Sequence, residues 1–401
     1  MTKKIEYCGG VDVGGTKVAS ALFAADGAMT ARARAPIDPS GGARAADQVA
    51  GEVRRLAAAA AAAGGRLRAV GVCVPGIVYA ATGRVWAPNI PGWDRYPLLT
   101  RLEHGPEKRG RPPWAERPAR KSGHVRPGAD SEERPSEVRR SGSKPHFWEI
   151  SERDLRDIPL VLESDRSAYV MGEAWRGAAA GAADAVFLAV GSGIGAGILA
   201  GGRLVHGHED IAGAVGWFGL DPDFRPEYAA MGCFEAEASG NSVGRKARER
   251  LASGRPSLMT ELAGGRIDAV TAETVAAAAR RGDPLALEVA AEAVRYLAMG
   301  IANIVSILDP EVVVLGGGLF RAADVFLEPT RREFRRWAQP MAAEKVRLVL
   351  SALGEDAGLA GCAKLAWERH GAAWSGFSGG TRRIKAGCSD LGADRYHRRR
   401  I

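Results

Sequence analysis

Three short glycine-rich segments each follow an apolar run: Asp12-Val13-Gly14-Gly15-Thr16-Lys17, Gly191-Ser192-Gly193-Ile194-Gly195 and Gly316-Gly317-Gly318. Without a Cβ in the way, backbone N–H groups can converge on an anion, and a phosphate is the usual one. The first segment also sets an acid and a hydroxyl beside its glycines. One such turn alone is equally an ordinary hairpin, but three in one chain point to repeated close approach to a charged ligand. None has the G-x-x-x-x-G-K-[ST] spacing of a P-loop. No strand–GxGxxG–helix unit with a later acid is present either, which makes a dinucleotide-binding reading poor.

The elements that must hold these turns follow from periodicity. A β-hairpin is expected over residues 5–35, with Asp26-Gly27 as a turn signal. Val49, Val53 and Leu56 at helical spacing predict a helix over 45–63, stopped by Gly64-Gly65. Strands are expected at Ala69–Val74, Ile158–Leu162, Ala185–Val190 and Glu311–Leu315, and helices at Ala168–Arg176, 272–281, 284–308 and 321–338. Alternating strands and helices imply an α/β fold. Residues 103–152 break the pattern. They are rich in proline and charge and poor in periodic apolar positions, so a disordered or loosely packed insertion is expected, with Trp114 and Phe147-Trp148 as local anchors. The Gly-, Ser- and Arg-rich stretch 371–401 reads as a flexible basic tail. The expected organisation is an N-terminal α/β domain over 1–160 containing the insertion, a C-terminal α/β domain over 161–370, and the tail. The last helix of the second domain is expected to pack back on the first.

In order and spacing, these motifs resemble those of the ROK sugar kinases of the actin-like ATPase superfamily. Asp12 to Lys17 resembles the first phosphate motif, Gly191 to Gly195 the second, and Leu315 to Gly318 the adenosine motif. Pro75-Gly76 and Ala87-Pro88-Asn89-Ile90-Pro91-Gly92-Trp93 resemble the sugar-side loop. Glu163-Ser164-Asp165 falls at the catalytic Asn-Asp pair, and Gly232-Cys233-Phe234-Glu235 with Ala238-Ser239-Gly240 at the Gly-Cys-Leu-Glu segment. The match covers roughly residues 7–102 and 155–368. The resemblance implies two actin-like ATPase (ribonuclease H-like) domains around a cleft, and an ATP-dependent kinase acting on a hexose hydroxyl, by default glucose O6. N-acetylmannosamine, N-acetylglucosamine and fructose are the alternatives. It implies ATP and phosphate contacts from Asp12, Gly14, Gly15, Thr16, Lys17, Gly191, Ser192, Gly193, Gly195, Gly316, Gly317 and Gly318. Asp12 would hold Mg²⁺ through water, or else cap its turn. Asp165 would be the general base, or else a helix N-cap. Asn89, Ser164, Asp165, Glu235 and Trp217 are the candidate sugar contacts, with Asn89 equally readable as a turn residue.

The chain also departs from the family pattern. Ala214 and Trp217 stand in Ala212-Gly213-Ala214-Val215-Gly216-Trp217, where the family carries a sugar-binding glutamate and a histidine. Ser164 replaces the usual asparagine. That histidine is a zinc ligand in many members, together with several cysteines. Here Glu227 to Cys233 retains only Cys233, and one thiolate cannot build a four-ligand site, so no structural zinc is expected. His206 and His208, without cysteine partners, are expected to be solvated. Trp217 could stack on a sugar or fill the volume of the lost zinc loop. Loss of these groups leaves a catalytically weak sugar-binding protein as an alternative.

Composition bounds the remaining classes. The 401 residues are 46% hydrophobic and 25% charged, as in an ordinary folded protein of about two domains. The net charge of +8 is local: residues 101–150 carry twelve Lys/Arg against eight Asp/Glu, and 371–401 seven against two, leaving the remainder at −1. A basic nucleic-acid-reading face is therefore not expected. No uninterrupted apolar run of about eighteen residues and no signal peptide is evident, and the five cysteines are scattered, so a cytoplasmic, membrane-free protein is expected. A homodimer is the expected assembly. A sugar-sensing repressor of the same family would carry an N-terminal helix-turn-helix, and with the first phosphate motif starting at Asp12 that reading is not the one expected.

Overall fold

The computed structural model describes residues 5–104, 155 and 157–371. The expected insertion and the basic tail fall almost wholly outside these residues, as do Trp114, Phe147 and Trp148.

In the first half, β1 (Glu6–Val13), β2 (Lys17–Ala24) and β3 (Met29–Pro36) form an antiparallel meander, one strand more than the expected hairpin. Helix α1 (Gly42–Ala62) returns the chain to β4 (Arg66–Val74), which lies parallel to β1. A small ribbon, β5 (Ile77–Tyr79) with β6 (Arg84–Trp86), and the short α2 (Leu98–His104) follow. Strand β7 (Leu160–Ser164) closes the sheet in the order β3-β2-β1-β4-β7. Its core is the apolar face of α1, with Val49, Val53 and Leu56 at 0–1% exposure, packed with Trp93, Leu98 and Leu102.

After α3 (Asp165–Arg176), the second half repeats the plan with β8 (Ala185–Val190), β9 (Ile194–Ala200) and the two-residue β10 (Arg203–Leu204) as an antiparallel meander. Then come α4 (Tyr228–Met231), α5 (Cys233–Ala238), α6 (Gly240–Ala252), α7 (Leu258–Leu262), α8 (Ala272–Arg280) and the long α9 (Pro284–Leu308). The parallel strand β11 (Val312–Gly316), α10 (Ala323–Trp337), α11 (Pro340–Lys345), parallel β12 (Arg347–Leu350) and α12 (Ala357–His370) complete the described chain. The second sheet runs β10-β9-β8-β11-β12, the same order strand for strand as the first. Two such sheets are the paired α/β layers of the actin-like ATPase fold.

Helices α3 and α12 exchange places between the halves. α3 leaves the first sheet and packs on β8 and β9, whereas α12 leaves the second and packs on β1 and β4. The contacts are tight enough to require glycine. A Cβ on Gly71 would stand 2.1 Å from the Cys362 carbonyl oxygen, and one on Gly10 would stand 2.1 Å from that of Leu359.

Helix α9 is the most apolar long helix among the described residues. It is long and apolar enough by length and composition to cross a membrane, with a mean hydropathy of 1.4 over eighteen residues, half of them buried. Glu288, Glu292 and Arg295 interrupt the run in the sequence, but they do not prevent one face, including Val289, Ala293, Leu297 and Ile301, from becoming the centre of the second core. The helix packs against α5, α6, α8 and α10.

Candidate active site

The first and second glycine turns occupy equivalent hairpins, β1–β2 and β8–β9, and the third ends β11. Gly14 N–H donates to the Lys17 carbonyl at 2.8 Å, and Gly191 N–H to that of Gly193 at 2.9 Å. The second and third turns adjoin, since a Cβ on Gly191 would lie 3.8 Å from Gly318 N. Gly317 has φ +92° and passes so close to Val190 that a Cβ would meet its carbonyl at 2.4 Å. Only glycine relieves both constraints. Around these turns open two cavities. One, of about 360 Å³, is lined by Asp12, Lys17, Gly316 to Gly318 and Glu355. The other, of about 510 Å³, is lined by Gly191, Ser192 and Gly318 with Asn241, Arg248 and Glu273. Thr16 is exposed at the tip of the first turn, and its carbonyl accepts from Ile37 N–H at 3.2 Å. Gly195 sits instead against Arg166, where a Cβ would meet the side chain at 2.5 Å, so it serves helix–strand packing rather than an open turn.

Asp12 lies near the end of β1, in register with Cys73 of β4. The Cys73 thiol donates to Asp12 Oδ1 at 3.3 Å, and Asp12 Oδ2 lies under Gly358 of α12. Burial raises the Asp12 pKa, against the stabilising pull of the Cys73 thiol and Lys17. Asp165 is the first residue of α3, and its Oδ1 accepts from Arg166 N–H at 2.8 Å. Burial pushes its pKa up from 3.8 to about 7, with the charge of Asp12 adding to the rise and Arg166 opposing it. Two neighbouring carboxyls cannot both ionise freely in such a place. Asp165 is not the helix cap, because Ser164 takes that position, its Oγ accepting from Ser167 N–H at 3.3 Å and bonding Ser167 Oγ at 3.0 Å. The Ser164 hydroxyl is thereby committed to the helix end.

On the sugar side, Asn89 is exposed in the 87–93 loop, and its backbone and Cβ abut Gly15, joining that loop to the first glycine turn. Trp93 anchors the loop, its indole N–H donating to the Gly42 carbonyl at 3.0 Å. Glu235, half-buried in α5, turns toward the second glycine turn, where its Oε2 accepts from Ile194 N–H at 2.7 Å and burial raises its pKa. Trp217 is 59% exposed, so it does not fill an internal volume.

His206 corrects the expectation of a solvated side chain. Its Nε2 lies 2.9 Å from Oε2 of Glu163, a residue only 4% exposed, and this partner raises the His206 pKa. His208 is exposed beside Glu209, as expected. Near His206, Asp210 accepts from Ala80 N–H at 3.0 Å, so the 206–210 loop of the second half is fastened to the first half at two points. A histidine six residues before Ala212 gives no sequence signal of a partner on β7.

The residues present do not fit zinc. Cys233 is buried and accepts from Leu220 N–H at 3.4 Å, and Trp217 holds the place of the histidine. Among the described residues no group of three or more His, Cys, Asp or Glu is arranged to hold a metal ion. The 221–237 segment is instead tied by a polar network. The Tyr228 hydroxyl donates to Glu237 Oε1 at 2.5 Å, Arg225 bonds Glu237 at 3.2 Å and Asp221 at 3.1 Å, and Lys246 pairs with Glu237 and, at 2.6 Å, with Glu292.

The sequence profile of the ROK family matches residues 8–111 and 149–369. Among curated proteins, the glucokinase of Halalkalibacterium halodurans is 27% identical over 356 residues, spanning 88% of this chain and 92% of that protein. The DNA-binding transcriptional repressor Mlc of Escherichia coli is 27% identical over 227 residues, 55% of this chain and 54% of that protein. A solved ROK family glucokinase from Streptomyces griseus, in complex with glucose and AMPPNP, superposes with a TM-score of 0.66 at 26% identity, covering 90% of this chain and 99% of that one.

Proposed function

The chain belongs to the ROK family, and from that membership we propose that it is an ATP-dependent sugar kinase that transfers the γ-phosphoryl group to a hexose hydroxyl, by first choice glucose O6. The observation that carries the reading is Asp165, a carboxyl with a pKa raised to about 7 beside a second carboxyl, Asp12, at the junction of two glycine-turned sheets. Such a group is ready to exchange a proton near neutral pH, which suits a general base. In this proposal Asp165 takes the proton of the attacking hydroxyl. Mg²⁺ arrives with ATP as part of the substrate, and Asp12, an oxygen donor suited to a hard cation, faces it through water. The N–H groups at Gly15 and Thr16, at Ser192 and Gly193 and at Gly317 and Gly318, with Lys17, take up phosphate charge, while those of Gly14 and Gly191 close their own turns; the larger cavity receives the adenosine. Asn89 and Trp217 contact the sugar from opposite sides, while Glu235 acts by holding the second turn.

The two halves, expected as residues 1–160 and 161–370 but divided in the fold after β7 at Ser164, would then be two lobes that close over the sugar and exclude water. A cytoplasmic homodimer completes the proposal. Ala214, Trp217 and Ser164 alter sugar contacts that the family pattern implies, so N-acetylmannosamine, N-acetylglucosamine and fructose form the comparison set. A coupled assay of ADP release over these sugars tests the reading. The expected result is sugar-dependent, Mg²⁺-dependent ADP formation with glucose preferred. Sugar binding without ADP release from any of them would turn the conclusion to a sugar-binding protein.

A further inference from the structure

Glu355 is an anion placed among the cations of the phosphate cleft. It lies in the turn between β12 and α12, and its carboxylate meets three basic side chains from three elements. Lys17, which opens β2, lies at 3.3 Å, Arg34 of β3 at 2.8 Å, and Arg321, just beyond the third glycine turn, at 2.9 Å. Lys17, Arg321 and Glu355 line the same cavity as Asp12 and Gly316 to Gly318. The turn that carries Glu355 is fixed from beneath. Leu353 N–H and Ala352 N–H donate to Glu173 at 3.0 and 3.3 Å, Gly354 N–H donates to Ser351 Oγ at 2.9 Å, and Glu173 of α3 is fully buried. Asp356 beside it is held to Arg32 at 2.8 Å. The carboxylate is therefore held in position rather than drifting past the cations. Its partners are partly exposed, Lys17 at 30% and Arg321 at 72%, so each pair is weak enough to be exchanged for a stronger anion.

We propose that Glu355 is an intramolecular competitor of the donor's phosphate groups, occupying Lys17 and Arg321 until a phosphoanhydride displaces it. Glu355 then lowers the affinity of the cleft for the phosphate part of the nucleotide without touching the nucleoside part. The inference rests on the reading of this cleft as the nucleotide site.

Calorimetry on the full chain, with a non-hydrolysable ATP analogue plus Mg²⁺ and separately with adenosine, tests it. The variant Glu355→Gln keeps the shape and removes the charge. It should bind the analogue about five-fold tighter, the scale of one partly exposed ion pair, with adenosine affinity unchanged. Glu355→Asp keeps the charge and should match wild type. Melting curves report whether each variant keeps the turn. Analogue binding that is unchanged or weaker in a Glu355→Gln protein of wild-type melting temperature would overturn the inference, as would an equal gain for adenosine. A wild-type chain that binds neither probe would overturn the nucleotide reading itself, and this inference with it.

Discussion

The Asp165 carboxyl is half-buried at the first turn of α3, and its raised pKa has two consequences of opposite practical sign. As a base it must be ionised, so sugar-kinase turnover should rise with pH through about 7 and level off above it. For folding, the proton stays on the folded chain over the interval from 3.8 to about 7, where the unfolded chain has released it. Stability therefore falls as pH rises through that interval, and the cost is complete above it. Asp165→Asn should lower turnover by about two orders of magnitude or more. It should also melt above wild type at about pH 8, with the difference closing toward about pH 4. Near-wild-type turnover in that variant would remove Asp165 from the mechanism. The residue itself is legible in the sequence because it follows a buried strand in a recognisable motif. Its neighbours are less so. Ser164 reads as a sugar contact until Ser167 N–H is seen to take its hydroxyl. His206 reads as solvated because Glu163 lies 43 positions away in the chain, and Glu355 gives no signal until β2, β3 and the third turn converge on it.

The elements that carry the glycine turns were the most legible, because β1, β8 and β11 are apolar runs that end abruptly in glycine. β9 was not, and α12 was legible only as a last helix packing back on the first half, without bounds. β9 contains Gly195 and Gly197 because the Arg166 side chain and backbone press against it, and those glycines erase strand propensity. α12 is buried on most sides between α3 and the first sheet, so its sequence has no polar face from which a helical period could be read. The 221–237 segment shows how an element can be positioned without the metal that the family pattern suggests. Glu237 is fully buried and meets Tyr228, Arg225 and Lys246 at once, with Lys246 at 5% exposure. Breaking a buried pair by removing one charge leaves the other uncompensated, at a cost of about 3–5 kcal/mol. Glu237→Gln should therefore lower the unfolding free energy measured in urea by that scale, whereas a chelator should leave the melting temperature of the wild type unchanged and elemental analysis should find well under one equivalent of zinc. Stoichiometric zinc would overturn this account of the segment.

Across the whole molecule, two sheets of identical strand order are joined by an exchange of helices, and each half closes its own core. In the first half that closure bears on the long segment the family profile skips, residues 112–148. The core on the α1 side of the first sheet draws on residues 7 to 102 and then on Leu155, Ile158, Leu160 and Leu162. Leu102 and Leu155, at 1% and 4% exposure, bury the chain in that core before and after the skipped segment. Both ends are therefore anchored by packing among the described residues. Closure entropy grows only with the logarithm of loop length, so shortening the connection should change stability little. The flanks lead on one side from the loop bearing Asn89 and on the other into Asp165, so sugar access is the step at which a change is expected. Replacing residues 112–148 with a short Gly/Ser linker should give a folded protein with a melting temperature close to that of the full chain. Turnover should be retained, and any change should fall on KM for the sugar. A turnover loss on the scale of Asp165→Asn, in a variant that melts normally, would place part of the skipped segment in the working site.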